Sequence, residues 1–318
     1  MWTDVLQLAV YTTGGVAALG IALHLGGGAR AVFSAAAAAG KLRVISAHWN
    51  LTEPYTLLGG LLGGALLSAA SHGTDHLIVQ RLLATRSLQD ARRALVGSGV
   101  AVCILFALFL LIGVSIRTAG LAAPGLTGDQ VFPQFIIAHL PVGLAGLMVA
   151  GILAASMGTH SSAISALASS ITHDLYGTWT GRTDPVHLLK VGRAFALGWG
   201  IALIIAALGF NAFTAGNTPV VVLALSIASV TYGGLLGTYL LAGGWSRARG
   251  RDVITGIGVT VVVMTVVIFA AHLAEMPDLG WLAPVGRLAW PWYVPLGTVL
   301  TLGVAVLSSL LPYSRVDR

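Results

Sequence analysis

Long apolar segments alternate with short polar segments along the whole chain, and this pattern predicts eight membrane-spanning helices. Crossing a bilayer takes about twenty apolar residues in a helix. The predicted spans cover residues 6–26, 55–71, 96–116, 140–176, 188–210, 220–241, 253–272 and 293–311. Residues 27–54 are mixed in polarity and predict an extramembrane loop with short helical pieces. The pattern therefore predicts an all-α membrane protein.

The composition points to the same class. Hydrophobic residues make up 56% of the 318 residues and charged residues 9%, so the chain cannot cover a water-exposed surface. The net charge is +6, but the basic residues lie in short loops between apolar spans, which argues against nucleic acid as a partner. A single cysteine, Cys103, leaves no disulfide pair and no cysteine metal site within one chain.

The basic residues are divided unequally between the two sides of the predicted membrane. One set of alternate segments holds twelve of them: Arg81, Arg86, Arg92, Arg93, Arg182, Lys190, Arg193, Arg247, Arg249, Arg251, Arg315 and Arg318. The other set holds five: Arg30, Lys41, Arg43, Arg117 and Arg287. Because cytoplasmic loops carry the excess of Lys and Arg, the bias predicts a multi-pass protein of the inner (plasma) membrane with both termini in the cytoplasm.

Hydroxyl and small residues concentrate in the fourth predicted span, LPVGLAGLMVAGILAASMGTHSSAISALASSITHDLY. Such residues permit close packing of helices, and they also permit a cation to approach backbone and hydroxyl oxygens. The sixth span repeats the ambiguity on a smaller scale at Ser226 and Ser229. Their hydroxyls serve either helix packing or the lining of an aqueous pathway.

A second polar group lies where the second span meets the predicted cytoplasm. His72 and His76 are four residues apart, which would place them on one helix face with Asp75 beside them. This spacing permits a metal site, and hence a histidine-dependent membrane metalloenzyme, although no third and fourth ligand follows at a convincing spacing. The alternative is a solvated helix end. No phosphate-binding loop, nucleophile elbow or HExxH motif occurs.

Four segments, in order, resemble the solute:sodium symporter family. WTDVLQ is similar to the start of the family's fifth core helix, and SHGTDHLIVQRLLATRSLQDAR to the segment after its sixth. AGLMVAGILAASMGTHSSAISALASSITHDLY resembles the eighth core helix, and SVTYGGLLGTYLLAG the tenth. The resemblance implies a leucine-transporter-type fold, in which two inverted repeats of five helices surround a site at the membrane midplane.

Under this resemblance, residues 1–318 form a single transmembrane domain. Residues 1–244 correspond to core helices 5 to 10, including the whole second inverted repeat, and residues 252–311 to two peripheral helices. Core helices 1 to 4 have no counterpart, so the resemblance implies an N-terminally truncated chain. The corresponding expectation is that Met1 is an internal valine codon read as a start, and that the missing helices belong to a longer chain or to a partner subunit.

The resemblance also implies a sodium site on the fourth span. The family's contributions map onto Ala155, Gly158 and Thr159, with Ser162 as a further candidate. Gly158 departs from the pattern, because the family carries a serine or threonine there. His160 follows directly and offers proton coupling as an alternative, since imidazole titrates near physiological pH.

Residues of the implied substrate pathway are Ser68, Ser71, Asp75, Ser226 and Ser229. Val102 and Leu225 stand where sugar carriers of the family use polar side chains, so a sugar substrate is not supported. The implied function is sodium-coupled symport of a small solute by alternating access, with sodium as coupling ion and no other cofactor. The alternatives are proton-coupled or uncoupled transport and, in a different class, the metalloenzyme.

Overall fold

The computed structural model describes residues 2–213 and 219–311. The predictions on Met1, Arg315 and Arg318 lie outside these residues. Twelve α-helices are described: α1 Trp2–Leu25, α2 Ala29–Ala38, α3 Gly64–Thr74, α4 His76–Leu83, α5 Leu88–Thr118, α6 Gly128–His139, α7 Val142–Ser170, α8 Thr178–Thr180, α9 Pro185–Phe213, α10 Val220–Gly244, α11 Gly250–Leu273 and α12 Tyr293–Leu310. Two π-helical segments, Gly59–Gly63 and Ile171–Gly177, precede α3 and join α7 to α8.

Seven helices in the described part of the chain are long and apolar enough to cross a membrane, which confirms the all-α membrane class. They correspond to the first and the third to eighth predicted spans. The second predicted span is instead divided into the π-helical segment Gly59–Gly63, α3 and α4. The polar residues at its end explain the division, because the helix stops at Thr74 and Asp75 is extended, with ψ of 119°.

Residues 2–42 and 96–213 form one compact unit. Its core packs α1 against α5, α6 and α7 through Ala18, Ala22, Ile112, Phe135 and Met148. Close contact between α1 and α7 depends on glycine. A Cβ at Gly14 would lie 2.8 Å from the Met148 Cγ, and a Cβ at Gly151 would lie 2.9 Å from the Val10 Cγ1.

Residues 43–95 and 219–311 form the second compact unit. Its centre is the crossing of α10, α11 and α12, where small residues bring the backbones together. A Cβ at Gly233 would lie 2.8 Å from the Gly297 Cα, and Thr260 and Thr301 share a buried hydrogen bond of 2.7 Å. The π-helical segment before α3 packs as closely, because a Cβ at Gly63 would overlap the Pro291 carbonyl oxygen.

Candidate functional site

One face of α7 carries four oxygens from residues that the sequence singled out. The Thr159 hydroxyl donates to the Ala155 carbonyl oxygen at 3.0 Å, and the Ser162 hydroxyl donates to the Gly158 carbonyl oxygen at 2.9 Å. Residues three and four apart share a helix face, so these two pairs lie side by side. Gly158 and Thr159 are exposed, and Ala155 and Ser162 are half-buried. The structure therefore brings together all four residues of the predicted sodium site.

The small residues of α7 divide into two kinds. Gly151 is buried against Val10 of α1, which is the helix-packing role. Gly158 is different, because a Cβ built there would meet no atom within 4 Å among the described residues. Packing inside this unit therefore explains Gly151 but not Gly158, and the surface beside Thr159 stays accessible.

The chemistry of this face suits a hard cation. Such cations prefer carbonyl, hydroxyl and carboxylate oxygens. The Ala155 oxygen accepts both the Thr159 backbone N–H of the helix and the Thr159 hydroxyl, so both of its lone pairs are in use and a cation would have to replace one of these donors. A hydroxyl that donates its proton keeps its own lone pairs for a cation. These oxygens occupy one side of a cation only, so further ligands must come from outside α7.

His160 points to another part of the helix surface. It follows Thr159 by one residue, which is about 100° around the helix axis. Its Nδ1 lies 2.7 Å from the Ser156 carbonyl oxygen, and a carbonyl can only accept. The ring proton is therefore on Nδ1 in the neutral imidazole, and Nε2 is the acceptor nitrogen.

Asp4 is an acidic residue that the sequence analysis missed. It lies in the first turn of α1, which runs antiparallel to α7, since Gly14 contacts Met148 and Val10 contacts Gly151. The register does not bring Asp4 against Gly158, because a Cβ at Gly158 would meet no described atom within 4 Å. Asp4 was missed because the first span was predicted to begin at residue 6, whereas α1 begins at Trp2. The available signal was a carboxylate directly before an apolar run.

The predicted shared face of His72 and His76 is wrong. His72 lies in the last turn of α3 and His76 opens α4, and the extended residue Asp75 separates the two helices. The Asp75 carboxylate has a hydrogen-bond partner on another helix, because it accepts the Tyr232 hydroxyl of α10 at 3.1 Å. His72 and His76 belong to two different helices. Residues four apart share a face only within one continuous helix, so the spacing of the two histidines does not place them together as metal ligands.

Both histidines have hydrogen-bond partners close to them in the sequence. The Nδ1 of His72 lies 3.0 Å from the Ser68 carbonyl oxygen, and the Gln80 amide nitrogen lies 2.6 Å from the His76 Nε2. Across residues 2–213 and 219–311, no three His, Cys, Asp or Glu side chains converge on a common point. The metalloenzyme alternative therefore has no geometric basis in the described part of the chain.

The predicted pathway residues lie in the second unit. Ser68 is exposed and Ser71 is half-buried on α3. Ser226 and Ser229 are buried in α10, and their hydroxyls donate to the carbonyl oxygens of Val222 and Leu225 at 2.8 Å and 2.6 Å. Burial and backbone bonding favour the helix-packing interpretation for Ser226 and Ser229 in this conformation.

Sequence reasoning also missed a buried carboxylate. Asp252 is 0% exposed, accepts the Ser308 hydroxyl at 2.6 Å and the Arg249 backbone N–H at 3.1 Å, and lies 3.5 Å from the Arg251 guanidinium. Its position three residues after Arg249 makes it a capping residue of α11. It joins the start of α11 to the end of α12, which is a structural role.

Comparison with known proteins adds a family match. The sequence model of the sodium:solute symporter family matches residues 1–257. Three relatives illustrate the similarity. A sodium/sialic acid symporter, SiaT, of Proteus mirabilis is 24% identical over 86% of this chain and 56% of its own length. A sodium/glucose cotransporter of Vibrio parahaemolyticus is 26% identical over 87% of this chain and 53% of its own. The human sodium/iodide cotransporter is 25% identical over 86% and 43%. The chain spans about half the length of the curated relatives it matches.

Proposed function

The chain belongs to the sodium:solute symporter family, and from this premise we propose that it takes part in sodium-coupled symport of a small solute. The relatives named above are sodium-coupled carriers by name, for sialic acid, glucose and iodide.

The observation that carries the proposal is the oxygen face of α7. Ala155 and Thr159 supply a carbonyl and a hydroxyl oxygen, Ser162 and Gly158 supply a second pair, and Gly158 leaves the adjacent surface open. The remaining oxygens come from outside α7, from other helices or from water.

Alternating access gives this face its mechanistic role. A bound cation shifts a conformational equilibrium only as far as it binds one state better than the other. Sodium held between α7 and a second helix stabilises the state in which these helices approach each other. If the same state has the higher affinity for the solute, binding of the two ligands is coupled reciprocally.

The arrangement of helices in the proposal follows the family. Residues 1–244 correspond to core helices 5 to 10 and residues 252–311 to two peripheral helices, together one transmembrane domain of residues 1–318. Both termini are cytoplasmic in the inner (plasma) membrane, which the twelve-to-five division of basic residues supports. Ser68, Ser71 and Asp75, with Ser226 and Ser229 on α10, are assigned to the solute pathway. A movement of the helices packed against α10 would be needed to uncover the two buried serines.

Sodium binding to the purified chain tests this proposal. Thermal unfolding in detergent is compared in sodium chloride, potassium chloride and choline chloride at one ionic strength, and binding of radioactive sodium is measured in parallel. We expect saturable stabilisation by sodium alone, since a ligand that binds only the folded state raises its stability by mass action. Equal unfolding temperatures in all three salts, with no saturable sodium binding, would contradict the proposal.

Proton coupling is the second candidate, and the geometry of His160 favours it. The bond from Nδ1 to the Ser156 carbonyl fixes the tautomer, so Nε2 is the proton acceptor on an exposed side chain. Reconstituted protein would then accumulate solute under an imposed pH gradient without sodium. His160→Gln should abolish that accumulation, while a sodium-coupled carrier should retain its sodium-driven uptake in this variant.

A further inference from the structure

An open groove of about 600 Å³ lies between the end of α7 and the start of α9, within the first unit. One wall is formed by Ser165, Ala168, Ser169, Thr172 and His173, and the other by Leu188, Leu189, Gly192, Arg193 and Ala196. Gly192 lets the two walls approach closely at the base of the groove. A Cβ at this position would lie 3.4 Å from the Thr172 hydroxyl oxygen on the opposite wall. None of the four residues of the oxygen face around Thr159 lines the groove.

Polar groups without protein partners face this groove. Among the described residues, the side chains of Ser165, Ser169, His173, Thr183 and Arg193 line the groove and have no hydrogen-bond or ion-pair partner. Thr172 differs, because its hydroxyl donates to the Ala168 carbonyl oxygen at 2.7 Å. The groove therefore presents several hydrogen-bond donors and one permanent positive charge.

The charge around the groove is positive. Lys190 and Arg182 are exposed near Arg193 along the chain. Asp174 and Asp184 are the acidic residues of this region, and both have partners. Asp174 accepts the Ser170 hydroxyl at 2.7 Å, and Asp184 accepts the His187 backbone N–H at 3.0 Å at the start of α9. An anion in the groove therefore meets unpaired donors rather than unpaired carboxylates.

Residues typical of a membrane interface surround the groove. Arg193 is eight residues after Pro185, which is about 12 Å along a spanning helix from its end. Trp179, at the same end, is 80% exposed, and tryptophan is typical of the membrane interface. The remaining wall is apolar, with Leu189 57% exposed beside Leu188 and Ala196. An acyl chain fits this part, and a phosphate fits the polar part.

We propose that this groove binds one anionic phospholipid, with its phosphate diester at Arg193, Ser169 and His173 and an acyl chain along Leu188, Leu189 and Ala196. Guanidinium and hydroxyl donors recognise phosphate oxygens, and basic pockets between spanning helices bind lipid headgroups. The apolar wall distinguishes a lipid from a free phosphate ion, which would have nothing to place there.

Native mass spectrometry of the purified chain tests the proposal, with phosphatidylglycerol, phosphatidylcholine and inorganic phosphate supplied separately. We expect one retained phosphatidylglycerol, about tenfold weaker retention in Arg193→Gln, and near-normal retention in Arg193→Lys. Arg93→Gln is the matched control, because Arg93 is also an exposed arginine near the end of a spanning helix but lies outside the groove.

Three outcomes would overturn the proposal. They are equal retention of phosphatidylcholine, competition by inorganic phosphate at concentrations that displace the lipid, and equal losses in Arg193→Gln and Arg93→Gln. Ala196→Phe gives a second and independent test, because a phenyl ring in the apolar wall should displace the acyl chain while leaving Arg193 in place. Unchanged phosphatidylglycerol retention in a folded Ala196→Phe variant would equally contradict the proposal.

Discussion

The Thr159 hydroxyl lies 3.0 Å from the Ala155 carbonyl oxygen, one turn earlier in α7. This bond holds the threonine in a single rotamer and keeps the two oxygens adjacent on an exposed face. A cation approaching this face would meet the lone pairs of the hydroxyl oxygen directly, whereas the carbonyl oxygen would have to give up one of its two hydrogen bonds. Pre-positioned ligands lower the entropic cost of binding, so the pair is the natural point at which to test the proposed sodium site.

Thr159→Ala should weaken sodium binding about tenfold, since one oxygen that contacts a charged partner is lost. The measurement is sodium-dependent thermal stabilisation of the purified protein. Thr265→Ala is the matched control, because Thr265 is also exposed in a spanning helix and also donates to the carbonyl four residues earlier, at 2.7 Å. Unchanged sodium affinity in Thr159→Ala would remove Thr159 from the site.

Gly158→Ser should strengthen sodium binding about fivefold, because the serine hydroxyl adds one oxygen ligand whose contribution is about that of one hydrogen bond. The side chain has room, because a Cβ at Gly158 meets no described atom within 4 Å. Gly143→Ser provides the control, since Gly143 is on the same helix and is equally open. Sodium titrations of both variants decide the matter, and equal affinities in the two variants would show that position 158 is not a ligand position.

Gly237→Ala should destabilise the second unit by about 1–3 kcal/mol, which is typical of overpacking. The new Cβ would lie 2.7 Å from the Thr301 Cβ and 3.0 Å from the Thr298 carbonyl oxygen, at the crossing of α10 and α12. Denaturant unfolding in detergent measures the change. Gly258→Ala in α11 meets no atom within 4 Å and should be neutral or slightly stabilising, because alanine favours helix.

Tyr232→Phe should loosen the junction between α3 and α4. The Tyr232 hydroxyl donates to the Asp75 carboxylate at the break between α3 and α4. Removing the hydroxyl therefore removes a hydrogen bond that holds this break against α10. We expect faster backbone hydrogen exchange in residues 75–83, and a coupling of about 1 kcal/mol with Asp75→Ala in a double-mutant cycle. Tyr239→Phe, an exposed tyrosine on the same helix, should leave exchange unchanged. Identical hydrogen-exchange rates in the two variants would show that the Tyr232 hydroxyl does not stabilise the α3–α4 junction.

The family resemblance supplied the residues of the candidate site, and helical periodicity accounts for their placement on one face. Ala155, Gly158, Thr159 and Ser162 share a face because helical periodicity is independent of what packs around the helix. The same rule failed for His72 and His76, since it presumes an unbroken helix and Asp75 is extended. Asp252 escaped prediction because its partner, Ser308, is 56 positions away in the sequence.

The sequence alone determined the class, seven of the eight predicted spans and the family, because apolar length and local motifs are properties of contiguous residues. Only the tertiary structure decided which small residues pack and which stay open. Gly151 and Gly158 are both glycines in one apolar helix, yet Val10 of α1 covers the first and nothing described covers the second. That difference depends on how a separate helix crosses α7, and crossing geometry is set by side chains distant in sequence.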